Sequence, residues 1–189
     1  MAKSENNEVM FGARGKVGNL VVFKNFGNNQ TVIAKRPRRP ENPVYTAKQI
    51  EVKQKFREAV VYARGVISNP ALAADYQAFA KPGTSIYNLA LADYCKAPEI
   101  TLIGASNYQG QIGDQIKVRA IDNFRVTEVK LSIYDAADTL LESGMAILSE
   151  TNIDWIYDTT TLNTSLPGTK ITVEAKDTPG NSTLETIMI

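Results

Sequence analysis

The chain has 189 residues, 43% of them hydrophobic, enough for one large or two small cores. It has no histidine and one cysteine, which removes the commonest neutral-pH general base, the serine and cysteine protease triads and an intramolecular disulfide. Net charge is only +1, yet residues 1–97 hold 15 Lys+Arg against 7 Asp+Glu, and residues 98–189 hold 6 against 13.

No run approaches the roughly 20 apolar residues that span a bilayer. The opening MAKSENNEVMFGARG has no apolar segment after Lys3 and does not read as a secretory signal. A cytoplasmic or virion-associated protein is expected, with non-classical export the route to any extracellular assembly.

In chain order, VGNLVVFK (17–24) and TVIAK (31–35) flank NFGNNQ and predict a β-hairpin, because Gly27 and Asn28 tolerate the positive φ of a tight turn. The arm from Met1 to Phe11 can pair as an added strand or cover a neighbour's edge. KRPRRPENP then reads as an extended connector, its prolines lacking backbone donors. Thr46-Ala-Lys-Gln49 is a capping-box pattern opening a helix to about Arg64. Its packed face is expected to run through Ile50, Val52, Phe56, Ala59, Val60, Ala63 and Ile67, with Gly65 or Asn69 ending or bending it. A second helix follows Asn69 with Pro70 in its first turn, and a third follows KPGT.

From Pro98 the period changes to that of strands. IKVRAI, VTEVKLSIYD, TLLESGMAIL, DWIYD, TKITVEAKD and STLETIMI, with 100–105, give about seven strands separated by Asp, Asn, Gly or Pro turns. The fold class is therefore α+β: a hairpin plus three-helix module over 1–97, then an antiparallel β-sandwich over 98–189. Trp155 is the expected core aromatic, and Cys95 a buried or half-buried small residue.

The stretch from VTEVKLSIYDAADTLLESGMA through LPGTKITVEAKDTPGN resembles bacterial immunoglobulin-like domains, most specifically at the A-K-D-x-x-G-N turn. That resemblance implies a non-catalytic binding or spacer module. GARGKVGNLVVFKNFGNNQTVIAKRPRRPENP with the helix after it is similar to small bacterial and prophage proteins of unknown function, and implies no activity.

Gly12-Ala-Arg-Gly15-Lys16-Val-Gly18 invites a phosphate-loop reading, but the spacing fails and Lys16 leads into a strand. The stronger signal is the basic set Arg14, Lys16, Lys24, Lys35, Arg36, Arg38 and Arg39, with no acidic residue from Arg14 through Pro40. It supports two readings. One is a contact surface of a homo-oligomeric or filamentous structural protein; the other is a β-ribbon binding nucleic-acid phosphates. Turn acids Asp114, Asp122, Asp135, Asp138 and Asp177 offer the oxygens that calcium takes when they cluster, but they show no EF-hand spacing, and Asp is an ordinary turn residue. No catalytic residue, cofactor, metal ligand or small-molecule substrate is assigned.

Overall fold

The computed structural model describes residues 2–5, 10, 12–25, 30–37, 41, 43–81 and 83–189. They form two compact units, Met1–Thr46 and Ala47–Ile189. The division thus falls after Thr46 rather than at 97/98, because the helices share their unit with the C-terminal strands.

In the first unit four antiparallel strands, β1 (Ala2–Glu5), β2 (Gly15–Val17), β3 (Val21–Asn25) and β4 (Gln30–Lys35), lie in the order β1-β4-β3-β2. The expected hairpin is the β3–β4 pair, whose turn at Gly27 and Asn28 lies outside the described residues. The expected single strand over 17–24 is instead broken. Gly18 takes a φ of 56°, open to glycine without a Cβ penalty, and Val17 pairs with Val21 across a second turn. Within the arm, Ala2–Glu5 pairs with β4 of its own chain. In β2, β3 and residues 31–35 of β4, Thr31 and Val32 are the buried residues.

The second unit opens with three helices, α1 (Ala47–Ser68), α2 (Pro70–Phe79) and α3 (Ile86–Cys95). Gly65 does not stop α1. The chain turns at Asn69, whose side chain accepts from the Ala71 and Leu72 amides to cap α2, with Pro70 as its first residue. Ser85 caps α3 in the same way through the Asn88 amide. The helices meet at Ala63, Val66, Tyr76 and Ala90, and Phe124 from the strand region completes this cluster. The packed face of α1 is shorter than its periodicity predicts. Ala59, Ala63 and Val66 are buried, whereas Ile50, Val52 and Phe56 are exposed because α2 and α3 cover only the second half of α1, and Ile67, within that half, is exposed because it lies to one side of the Ala59-Ala63-Val66 line. None of the described helices is long and apolar enough to cross a membrane.

Eight strands follow: β5 (Glu99–Gly104), β6 (Gln115–Ile121), β7 (Val126–Tyr134), β8 (Leu140–Met145), β9 (Ile147–Leu148), β10 (Trp155–Asp158), β11 (Lys170–Asp177) and β12 (Ser182–Met188). They make two antiparallel sheets, β5-β6-β10-β9 and β12-β11-β7-β8. The mixed α+β class is as expected. Alternation along β6, β7 and β11 aims Ile116, Val118, Val129, Leu131, Ile133, Ile171, Val173 and Ala175 into one core shared by both sheets. The run 139–148 is two strands, not one: it leaves one sheet at Met145 and joins the other at Ile147. Trp155 sits only part-buried at the edge of this core, and the buried aromatics are Tyr108 and Tyr157. Tyr157 donates to Glu142 (3.1 Å), which satisfies its hydroxyl inside the protein.

Candidate functional site

The basic residues singled out in the sequence divide between the two faces of the first sheet. In the antiparallel register Lys16 lies opposite Val22, and Lys24, two positions along β3, opposite Val32, so both lysines share one face. Lys35 lies opposite Val21 and belongs to the other face. Arg14, Lys16, Lys24, Lys35 and Arg36 are all exposed. Arg36 is tied back to the β2–β3 turn by its guanidinium bond to Asn19 Oδ1 and its amide bond to the Leu20 carbonyl (3.2 Å). Arg38 and Arg39 lie outside the described residues. The described strand lysines of the set therefore do not form one charged face.

The second unit contains a cluster that the sequence reading did not assemble. Asp93 is on the packed side of α3 and fully buried, Asp122 is in the β6–β7 loop and part-buried, and Asp177 ends β11 and is buried. One oxygen from each lies within 4.8 Å of the other two. Local turn chemistry fixes two of the three. Asp122 Oδ2 accepts from the Phe124 and Arg125 amides (3.0 and 3.1 Å). Asp177 Oδ1 accepts from the Gly180 and Asn181 amides (2.8 and 2.6 Å), so the A-K-D-x-x-G-N turn closes on its own aspartate. Asn181 then reaches the end of α3, its Nδ2 meeting Asp177 Oδ2 (2.7 Å) and the carbonyls of Asp93 and Tyr94 (3.4 and 3.3 Å). With the Asn123 amide oriented to donate to Asp122 Oδ1 (3.0 Å), its oxygen accepts from the Asp93 amide (3.2 Å).

Asp93 is held from the helical side by Tyr76, whose hydroxyl donates to Oδ2 (2.5 Å) and lies 2.9 Å from the Tyr62 hydroxyl. Burial pushes the Asp93 carboxyl up to about 7, and the facing Asp122 and Asp177 carboxylates add to the rise while the Tyr76 bond opposes it. Burial likewise raises Asp177 against the opposing bonds from Asn181 and Gly180. Such a trio can hold a proton or a cation.

A pH dependence follows from the raised carboxyl. The native state keeps a proton on Asp93 that the unfolded chain has already released, so its contribution is fully present below the ordinary Asp value of 3.8 and is lost as pH rises through about 7. In chelator-containing buffer the thermal midpoint should fall between about pH 5 and 7.5. Asp93→Asn, which retains an acceptor for Tyr76, should flatten that slope. Equal slopes in the two proteins would remove Asp93 as its cause.

Other predicted positions are scattered. Asp114 accepts from the Gln109 and Gln111 amides, Asp135 from those of Ala137 and Thr139, and Asp138 pairs with Lys170, each as a separate turn or pair. Cys95, expected buried or half-buried, is exposed at the end of α3, because the packed side of that helix is occupied by Ala90 and Asp93. Between α1 and α3 run two adjoining shallow grooves of about 430 and 380 Å³ that share Glu58 and Tyr94, and the second is bordered by Asn181.

Asp93 was missed although a signal existed. It falls with Ile86 and Ala90 on the helical apolar stripe of α3, where an acid is out of place unless something answers it. No protein-family model, curated protein or solved structure matches the chain.

Proposed function

We propose that the protein is a non-enzymatic structural subunit that associates with copies of itself, in an assembly of the bacterial or phage kind implied by its sequence resemblances. The observation that carries this reading is the first half of α1. Every residue from 47 to 58 is exposed, including Ile50 (54%), Val52 (61%) and Phe56 (52%). A helical stretch of about 18 Å gains little from propensity alone and is marginal in water unless an apolar face is covered. The occupant we assign is the same stretch of a second copy, since Lys48, Glu51, Lys53 and Glu58 supply both signs of charge around the apolar side chains.

Two further features support the reading. In the first unit β2, β3 and residues 31–35 of β4 bury two residues, Thr31 and Val32, and such a sheet gains stability when a second layer covers it. Residues 1–46 carry 8 Lys+Arg against 3 Asp+Glu and residues 47–189 carry 13 against 17, so opposite charges can meet between neighbouring copies. Within the second unit we assign the two sheets an immunoglobulin-like role, as a rigid spacer.

Light scattering on nuclease-treated protein eluting from a sizing column should give a multiple of 20.7 kDa. Val52→Glu with Phe56→Glu, an i, i+4 pair on one helical face, should return it to the monomer mass with the helical signal retained. A wild-type protein that is monomeric at every concentration would sink the proposal. Nucleic-acid binding is the second reading, favoured by the shared face of Lys16 and Lys24. It requires salt-dependent binding that Lys16→Ala with Lys24→Ala weakens, with a salt slope reduced by about two.

A further inference from the structure

The carboxylate junction is short of positive charge. Among the described residues no lysine or arginine forms an ion pair with Asp93, Asp122 or Asp177; the nearby Arg125 pairs with Asp75 instead. Among the described residues two buried side-chain oxygens have no hydrogen-bond partner. They are Asp93 Oδ1, on a fully buried residue, and Thr178 Oγ1, on the residue after Asp177. These are the orphaned buried side-chain atoms among the described residues, and one belongs to the trio while the other adjoins it in sequence. A buried oxygen without a donor is costly, and more so on a carboxyl that stands beside two others.

We propose that Asp93, Asp122 and Asp177 form a divalent-cation site of calcium's size and hardness, clamping α3 to the β6–β7 loop and the end of β11. Calcium takes oxygen ligands at about 2.3–2.6 Å, so ligands on opposite sides stand about 4.6–5.2 Å apart. The mutual 4.8 Å limit of the three oxygens places them inside one such sphere. The part-exposed Asp122 opens the site to solvent. Magnesium demands a tighter octahedron and keeps several waters, which suits this buried, multi-carboxylate setting less well. Around the trio, Tyr76, Asn181 and the Phe124, Arg125 and Gly180 amides already orient the carboxylates from outside, as supporting groups do at metal centres.

The test uses the full chain stripped with chelator and titrated by calorimetry with calcium chloride, and separately with magnesium chloride, at constant ionic strength. The expected result is one saturable calcium site per chain. At a calcium concentration a hundredfold over Kd, the folded-to-unfolded ratio should rise about a hundredfold. Asp122→Asn and Asp177→Asn should each weaken binding at least tenfold, by an order-of-magnitude expectation for loss of one charged ligand. Where either variant fails to fold, terbium luminescence excited through the tyrosines of the wild-type protein and displaced by calcium gives the same answer, since Tyr76 touches Asp93. Absence of saturable calcium binding overturns the proposal, as does calcium affinity unchanged in both variants. Tighter binding of magnesium than of calcium overturns the assignment of the ion.

Discussion

Replacing Tyr76 by alanine should lower the unfolding free energy by about 3–5 kcal/mol, the range for deleting a fully buried aromatic side chain. Tyr76 has no exposed surface, and its ring stacks on Phe124 with centroids 3.8 Å apart and planes 14° from parallel. Phe79 meets the same phenylalanine edge-on at 5.0 Å. The substitution therefore opens a cavity at the contact between helices and strands and removes the hydroxyl that Asp93 Oδ2 accepts from. Tyr76→Phe separates the two effects. Keeping the ring and losing only the hydroxyl should cost about 1–3 kcal/mol, because an acceptor inside the protein is left unmet. Urea denaturation with an unchanged m value is the measurement, and Tyr76→Ala should also drop the thermal midpoint by roughly 10 °C. A loss below about 1 kcal/mol for the alanine variant would show that the helical cluster contributes little to the unit's stability.

Gly110→Ala should cost about 3 kcal/mol, although it adds a single methyl group in a loop. Two causes combine. The φ of Gly110 is 80°, a conformation that L residues rarely adopt, and a Cβ built there overlaps the Asn163 carbonyl oxygen and comes within 3.3 Å of Leu166 Cδ2. The Asn163 backbone must then shift. It is anchored by its amide bond to the Gly110 carbonyl (2.9 Å), and its buried side chain donates to Tyr108 (3.1 Å) and Thr169 (2.8 Å). Moving it strains a polar pin set against the wall of the core. Gly180→Ala is the comparison: it has a similar φ of 94° but nothing within 4 Å of the added carbon, so it should lose only the backbone contribution of about 1 kcal/mol. Equal losses at the two glycines would mean that the overlap at Gly110 relaxes freely.

Local rules carried the fold a long way and stopped where partners in space decide. Asn69, Pro70 and Ser85 could be read as helix starts because capping and the proline φ act within a single turn of chain. The strands from 99 to 188 were legible from alternation, since each has one face in the core. By contrast, nothing within TLLESGMAIL marks where the chain leaves one sheet for the other. Both halves have the same period, and the break at Ala146 depends on which neighbour each half pairs with. The exposed start of α1 escaped for a related reason: Val52 and Phe56 continue the line of Ala59 and Ala63 at helical spacing, but the sequence does not state how far α2 and α3 reach, and Ile50 lies off that line. At the junction, Asp122 and Asp177 were recognised as turn residues, which they are. Their meeting with Asp93 spans 84 residues between the first and last of the three, a separation that no window of local sequence contains.

The step at Ala146 also sets how the strand region opens. Its amide bonds to the Val129 carbonyl (2.8 Å) in one sheet, and the next residue, Ile147, pairs with Ile156 in the other. A one-residue link cannot let either sheet fray without pulling on its neighbour. Amide hydrogens of β8 and β10 should therefore exchange with solvent deuterium through a common opening event, so that the strand region behaves as one cooperative block rather than two separable leaves.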